Sequence, residues 1–408
     1  MAFTRFTTGA LAQSRFRWFY LARTISLFGS AMTPVALAFA VLAVPDGQQL
    51  LGYILAAELL PNVLMLLIGG SVADRYRRDR LIQLANVGSG FTQAGIALVV
   101  LTGRNPYWIF PLAVANGILG AFTAPATRGI VPELVARDEI KEANSLLNAS
   151  RSAAKVVGPA VAGILVATLG GGWGIALDAA SFFLAALCMA RVKIPAYAAA
   201  TTDSLLIQMK QGWVYFRSRR WIWSVSGAWG VMNAVQMGAW QVLGPVIAKH
   251  SFGVTGWGFT LSVRAVGLLV ASVMMLRLSL SRPVRDSMLA AAVIGLPMVL
   301  LGQGAALPYL MVAALVAGIG STISTVAWDT ALQQGVPRDK ISRVMAFDDF
   351  GAYVMIPLGE ILALPLANRW GVHPVETSAG LIFMVMALLP LSLRVVRQRR
   401  FDEQETVS

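Results

Sequence analysis

Apolar residues in this chain are gathered into blocks of twenty or more positions, divided by short polar stretches. Blocks of that length, with few charges inside them, cross the hydrocarbon of a bilayer as helices. A membrane β-barrel would instead show short strands of alternating polarity. The pattern predicts helices over 18–44, 50–73, 80–102, 107–127, 145–168 and 172–192, then 220–248, 256–277, 286–305, 308–330, 345–368 and 374–395. The first block is too long for a cleaved signal peptide and is expected to stay as the first span. The longest polar stretch, 193–217, splits the chain into halves of six helices, 1–192 and 218–408. Its later part, SLLIQMKQGWVYF, has apolar residues at helical spacing and suits the membrane surface.

Composition sharpens this into an all-α integral membrane protein. Of the 408 residues 57 % are hydrophobic and 13 % charged, with a mean hydropathy of +0.67, whereas soluble domains carry about a quarter charged residues. The net charge of +13 would suit nucleic acid if the basic residues shared one soluble face. They sit instead in runs between apolar blocks, RYRRDR (75–80), RSRR (217–220) and RQRR (397–400), so no nucleic-acid partner is expected. With both termini cytoplasmic, inner loops and tails hold 26 of the 33 lysines and arginines. Outer loops hold Arg104, Lys249 and Arg369, which fixes that orientation in the inner (plasma) membrane. The single cysteine, Cys188, excludes a disulfide within the chain and any paired-cysteine metal site. With two histidines, His250 and His373, near outer loops, neither a metal, a cofactor nor a catalytic set is expected, and the chain is read as a non-enzymatic monomer in the lipid bilayer.

The two halves echo each other. Arg17-Trp18 recurs as Arg220-Trp221, and GIVPELVARDEIKEAN (129–144) resembles GVPRDKISRVMAFDD (335–349), at offsets of 203 and 205. Two agreeing offsets in equivalent loops point to duplication, which places a substrate path between the halves near the midplane.

The loop after the second helix reads Gly70-Ser71-Val72-Ala73-Asp74-Arg75-Tyr76-Arg77-Arg78-Asp79-Arg80. As a positive-inside loop it is ordinary, but Asp74 closes its own helix, where a negative charge opposes the dipole. The segment resembles the Gly-x-x-x-Asp-Arg-x-Gly-Arg-Arg loop of the major facilitator superfamily. Gly70, Asp74, Arg75 and Arg78 match, and Arg77 stands in place of a glycine. The resemblance implies a twelve-helix fold of two pseudo-symmetric halves, in which this loop latches them on the cytoplasmic side. Helix five carries Ala154-Lys155-Val156-Val157-Gly158-Pro159-Ala160-Val161-Ala162-Gly163. Its small residues at fourfold spacing are readable as plain tight packing. They also resemble the antiporter motif Gly-x-x-x-Gly-Pro-x-x-Gly-Gly, with alanine at the first and third glycines, which is associated with export. Phe122-Thr123-Ala124-Pro125-Ala126, Val131-Pro132-Glu133-Leu134-Val135, Ala143-Asn144-Ser145-Leu146 and Asp178-Ala179-Ala180-Ser181-Phe182 follow in order. Together they are similar to the third drug:proton antiporter group, the branch of macrolide-efflux and enterobactin-exporter proteins. The fourth helix lacks the arginine that some antiporters carry there; Asn116 is its nearest polar residue.

Ionisable residues inside membrane helices are expensive and mark partners or wet cavities. Glu58 and Arg264 have two readings, charges snorkelling to the surface or members of a transport path. Lys155 and Glu360 are deeper and read equally as a structural ion pair. The resemblance implies Glu58 and Glu360 on one side of the half interface and Lys155 and Arg264 on the other. Arg23 and Arg151 are further charge partners, and Asp178, beside Ser181, reads first as structural. Carboxylates drawn together in low dielectric cannot both ionise cheaply. Glu360 is therefore the expected proton carrier, Glu58 its modulator and Asp178 the next candidate. Trp229, Met232, Asn233, Gln236, Trp240 and Tyr353, with Met237, Gln241, Trp328 and Met355, suit core packing singly and a broad, adaptable substrate cavity collectively. Asp329, Asp348 and Asp349 flank one loop and are expected at a solvated or gate position rather than in substrate contact.

These readings converge on a secondary transporter that exports a lipophilic or amphiphilic small molecule, such as an antibiotic or siderophore, against inward protons. No GxxxxGK[ST] nucleotide loop occurs. An uptake carrier on the same fold, or an uncoupled sensor or lipid-handling protein, remains the alternative.

Overall fold

In the computed structural model the chain is described over residues 9–75, 77–136, 139–194, 213–275, 277, 282–337 and 341–398, and every regular element there is helical. The helices of the first six blocks are α1 (Ser14–Ala43), α2 (Gly47–Arg75), α3 (Arg78–Leu101), α4 (Ile109–Leu134), α5 (Ile140–Leu169) and α6 (Gly171–Met189). The later blocks give α7 (Arg220–Gln236), a π-helical stretch (Met237–Leu243), α8 (Gly244–His250) and α9 (Gly253–Met275). They continue with α10 (Pro283–Ala292), a 3-10 turn (Val293–Gly295), α11 (Leu296–Gly302), α12 (Leu307–Gly335), α13 (Ile341–Tyr353), α14 (Ile356–Trp370) and α15 (Val372–Leu388). Among the described residues nine helical stretches are long and apolar enough to cross a membrane. The chain is a multi-pass, all-α membrane protein. Of the surface helix expected over 204–216, only its last residues are described, and 213–218 are helical.

Several helices outrun their apolar blocks. Helix α5 begins at Ile140 and α12 runs on to Gly335. A helical backbone satisfies its own peptide groups wherever it lies, so polar turns continue it beyond the hydrocarbon.

Two compact units emerge: Met1–Ala200 with Phe252–Ser262, and Thr201–Ser251 with Val263–Ser408. In the first, α6 packs along α1 and α3, α4 lies between α2 and α3, and α5 lies on α1. Phe16, Phe19, Ile82, Ile130, Val131 and Met189 form a buried cluster there. In the second, α10 packs on α12, α11 on α15, and α14 on the π-helical stretch. Trp221, Ile222, Val284, Met288, Leu332, Val336 and Val344 form its cluster.

The helix ends repeat between the units. Helix α3 stops at Gly103 (φ 62°), with Arg104 N–H donating to Val99 O; α11 stops at Gly304 (φ 70°), with Ala305 N–H donating to Leu300 O. Each is the same six-to-one C-terminal turn, which needs a left-handed residue. Likewise α5 and α14 end on Gly170 (φ 91°) and Gly371 (φ 89°), whose N–H groups donate to Val166 O and Ala367 O. Both glycine pairs are 201 positions apart.

Prolines lie inside helices of both units, Pro365 within α14 among them, and in the second unit others begin new segments. Pro34, Pro61 and Pro159 sit inside unbroken helices of the first. In the second, Pro245, Pro297 and Pro357 each occupy the first turn of a new segment, so three expected single helices are jointed. Each ring removes one N–H donor and crowds the carbonyl four residues earlier.

Gly170→Ala and Gly371→Ala should each destabilise the protein by about 1–3 kcal/mol, the cost of a side chain at a backbone angle reserved for glycine. Thermal unfolding in detergent micelles should show two closely similar losses, and a neutral result at either site would remove the strain argument there.

Candidate functional site

The second unit contains a cavity of about 210 Å³. Trp229, Asn233 and Gln236 of α7 reach it at positions i, i+4 and i+7, one face of a helix. Ser321, Thr325, Trp328 and Asp329 of α12 form a second wall. Asp348, Asp349, Ala352 and Tyr353 of α13 form a third, and Ile294 closes it.

All three helix breaks meet this space. Gln236 is the last residue before the π-helical stretch, Ile294 lies in the 3-10 turn, and Tyr353 ends α13. Non-helical backbone at membrane depth survives only where protein or a wet cavity serves its peptide groups. Asn233 does so directly, its Nδ2 donating to Ala352 O at 3.0 Å. That carbonyl lies in the last turn of α13, where carbonyls lose their helical partners.

The three aspartates are not equivalent. Asp348 is buried and fully engaged, accepting from Trp328 Nε1 at 2.8 Å and from the Ser226 hydroxyl. Its partner Trp328 stands edge-on to Trp221, so Asp348 ties the cavity wall to the core. Asp329 is half-buried and Asp349 exposed, and their charges act on one another. All three line the cavity, Asp348 buried and Asp349 exposed.

Of the six residues expected to form a substrate cavity, Trp229, Asn233, Gln236 and Tyr353 line this one. Met232 and Trp240 do not; they are fully buried core residues. Trp240 lies four positions after Gln236 and would share its face in an uninterrupted α-helix. The intervening π-helical bonding shifts that register. Arg264 lies over the Trp240 ring, 5.8 Å from its centroid, a cation–π contact inside the second unit. Glu360 is buried in α14. Glu376 in α15, which the sequence reading passed over, is fully buried too.

In the first unit two carboxylates come close enough for their charges to interact, Glu58 of α2 and Asp178 of α6. Glu58 accepts from Asn116 Nδ2 at 2.8 Å, and Thr92 Oγ1 donates to Asn116 Oδ1 at 3.3 Å. Asp178 accepts from Thr33 Oγ1 at 2.7 Å and from Ser30 Oγ at 3.4 Å. Ser181 Oγ donates to the Asp178 carbonyl at 2.7 Å. Thr33 and Ser30 carry no charge and gave no sequence signal. Arg23 lies near Arg151, and the exposed face of α5 also carries Lys155.

The helix-five motif forms a backbone seam. Gly163 lies against Val254 and Thr255, and the space a side chain on Gly258 would need is taken by the Pro159 carbonyl. Thr255 Oγ1 donates to Gly163 O at 3.4 Å. Gly158 is packed against Ala31 of α1.

Of the latch residues, Gly70, Asp74 and Arg75 have side chains outside the described residues. Arg78 pairs with Glu133 of α4. Arg77, where the resembled pattern has glycine, grips buried Asp79 through Nη2 at 2.7 Å and Nε at 3.2 Å. Asp79 also accepts from Ile194 N–H at 3.4 Å. Among the described residues no group of histidine, cysteine, aspartate and glutamate could hold a metal ion.

Comparison with known proteins gives this geometry a context. The chain is 26 % identical to the multidrug efflux pump Tap of Mycolicibacterium fortuitum, over 91 % of this chain and 93 % of that one. It is 24 % identical to the enterobactin exporter EntS of Shigella boydii serotype 4, over 96 % and 95 %. Among solved structures it resembles the nucleoside transporter NupG, with a TM-score of 0.73 at 12 % identity, covering 95 % of this chain and all of that one. It also resembles the POT family transporter PepTSo, with a TM-score of 0.74 at 8 % identity, covering 95 % and 99 %. At such identities the structures show the fold alone, and it is a transporter's rather than a catalytic enzyme's. The sequence profile of the Major Facilitator Superfamily matches residues 47–360, and the chain is a membrane transporter belonging to that superfamily.

Proposed function

We propose that this transporter exports a lipophilic or amphiphilic small molecule in exchange for protons, as a member of the third drug:proton antiporter group with both termini cytoplasmic. The observation that carries the reading is the seam of Pro159 and Gly163 against Thr255 and Gly258. Small residues let the two backbones meet directly, the close packing that the resembled antiporter motif would supply in an exchanger. The printed functions of the relatives, a multidrug efflux pump and an enterobactin exporter, supply the direction.

The proton sites are the acidic groups held in the helices. Glu360 in α14 is the carrier, and Glu58 with Asp178 forms an acid pair in the first unit. A proton arriving at the pair removes the repulsion between two carboxylates and alters which hydroxyls and amides they hold. The loop of Gly70, Asp74, Arg75 and Arg78 acts as the conformational latch.

Everted vesicles carrying the full chain should accumulate cargo when a proton gradient is imposed. A macrolide, a lipophilic dye and a catecholate siderophore are the probes, and accumulation only by right-side-out vesicles would reverse the direction. Glu360→Gln should cut gradient-driven accumulation by about tenfold or more, a barrier change of at least ~1.4 kcal/mol, while sparing binding and downhill exchange. Wild-type rates in that variant would pass the carrier role to Asp178, tested by Asp178→Asn.

Asp74→Asn should slow transport strongly at unchanged expression and change the labelling of cysteines placed at either membrane face. Full transport with unchanged labelling would make Asp74 an ordinary loop residue. Gly258→Leu should destroy the seam and uncouple the protein, read as proton leak without cargo; tight vesicles would argue against the seam's role.

A further inference from the structure

Glu376 of α15 is fully buried, and among the described residues neither of its carboxylate oxygens has a hydrogen-bond partner. Asp79, Asp178 and Asp348 are buried too, yet each accepts hydrogen bonds from side chains. No described residue of α15 lines the cavity of Trp229 and Asp329, so Glu376 stands apart from that space.

The elements packed on α15 supply no counter-charge. Helix α11, the 3-10 turn, the π-helical stretch and the turn Leu389–Ser392 carry no ionisable side chain. Arg220 of α7, Lys249 and His250 of α8, Arg369 of α14 and His373 of α15 itself are exposed near helix ends. Arg285 and Asp286 of α10 hold each other, and Glu360 of α14 is a second buried acid.

Helices α11 and α15 meet backbone to backbone on both sides of Glu376. A side chain on Gly302 would strike the Thr377 hydroxyl and the His373 carbonyl, and one on Gly380 would strike the Gly295 carbonyl. Gly295 ends the 3-10 turn, so this contact reaches a joint of the chain. The nearby polar groups are already used: Thr377 Oγ1 donates to His373 O at 3.0 Å, and His373 Nδ1 lies 3.2 Å from Gly302 O. An ionised carboxylate enclosed in this way is far costlier than a neutral one, and a proton is the smallest ligand that removes the charge.

We propose that Glu376 is a proton-binding lock on the contact of α11 with α15. With its O–H bond intact the two helices stay closed on one another. When that bond breaks and the proton passes to water, the carboxylate draws solvent in and the contact parts at the 3-10 turn. An open contact hydrates the carboxylate and so favours proton loss, which makes the two events one equilibrium. The lock belongs to the packing of the second unit and needs neither cargo nor the export reading.

The test compares the full wild-type chain with Glu376→Gln, a neutral side chain of the same shape, in detergent micelles. Unfolding releases this proton from the wild type and not from the variant, and every other ionisable group is common to both. The wild type's unfolding equilibrium should therefore grow relative to the variant's by up to about tenfold per pH unit. It is read as a thermal midpoint that falls behind the variant's between about pH 6 and about pH 9. A gap of constant size, or no gap, would overturn the inference. Should Glu376→Gln fail to fold, Glu376→Met cannot ionise either and should show the same widening, and its absence would count equally against the lock. The parting of the helices is read in the otherwise wild-type chain by a cysteine replacing Val299, whose side chain lies beside Gly380. Its alkylation, corrected by the same cysteine in the unfolded chain, should quicken about tenfold across that pH range as the contact opens. A corrected rate that stays flat would show that the contact does not answer to the proton.

Discussion

A peptide group inside hydrocarbon must find its hydrogen-bond partner within the protein, and the rest of this structure depends on that requirement. It forces the apolar blocks into helices and continues them past the blocks. It also decides where irregular backbone can be placed. In the second unit the chain leaves regular α-helix at the π-helical stretch, at the 3-10 turn and between α13 and α14, and each departure adjoins the same cavity. The cavity and the breaks are thus one feature. The Asn233 amide reaches one carbonyl there, that of Ala352.

The same economy governs the charges. Asp79 is buried and matched by Arg77, Asp348 is buried and matched by an indole and a hydroxyl, and Arg264 lies over an aromatic face. In each of these groups the polar surface is already engaged by the protein. Glu58 and Asp178 are hydrogen-bonded too, and differ in that their charges also act on one another. Arg77 illustrates the distinction well: the sequence departs from a family glycine there, and the substituted arginine has acquired an acid of its own.

Much of the fold was readable from periodicity, because a bilayer turns hydropathy into geometry almost directly. The helix-five motif was readable too, since small residues at fourfold spacing can only serve close approach. The joints were not. Pro245, Pro297 and Pro357 look in sequence like Pro34, Pro61 and Pro159, and whether a proline interrupts a helix depends on what packs around the carbonyl it crowds. Trp240 lies within the π-helical stretch, whose wider turn takes it off the face of Gln236.

The joints also give the second unit a mechanical character. An unbroken helix carries a push along its length, as a rod does. A jointed one gives way at the joint, because few backbone bonds cross it. Helices α1, α2 and α5 of the first unit are rods despite their prolines. Around the cavity three joints converge, so a molecule entering it presses on the most compliant points of its surroundings. Any bending of the cavity wall would be taken up at those joints rather than along a rod.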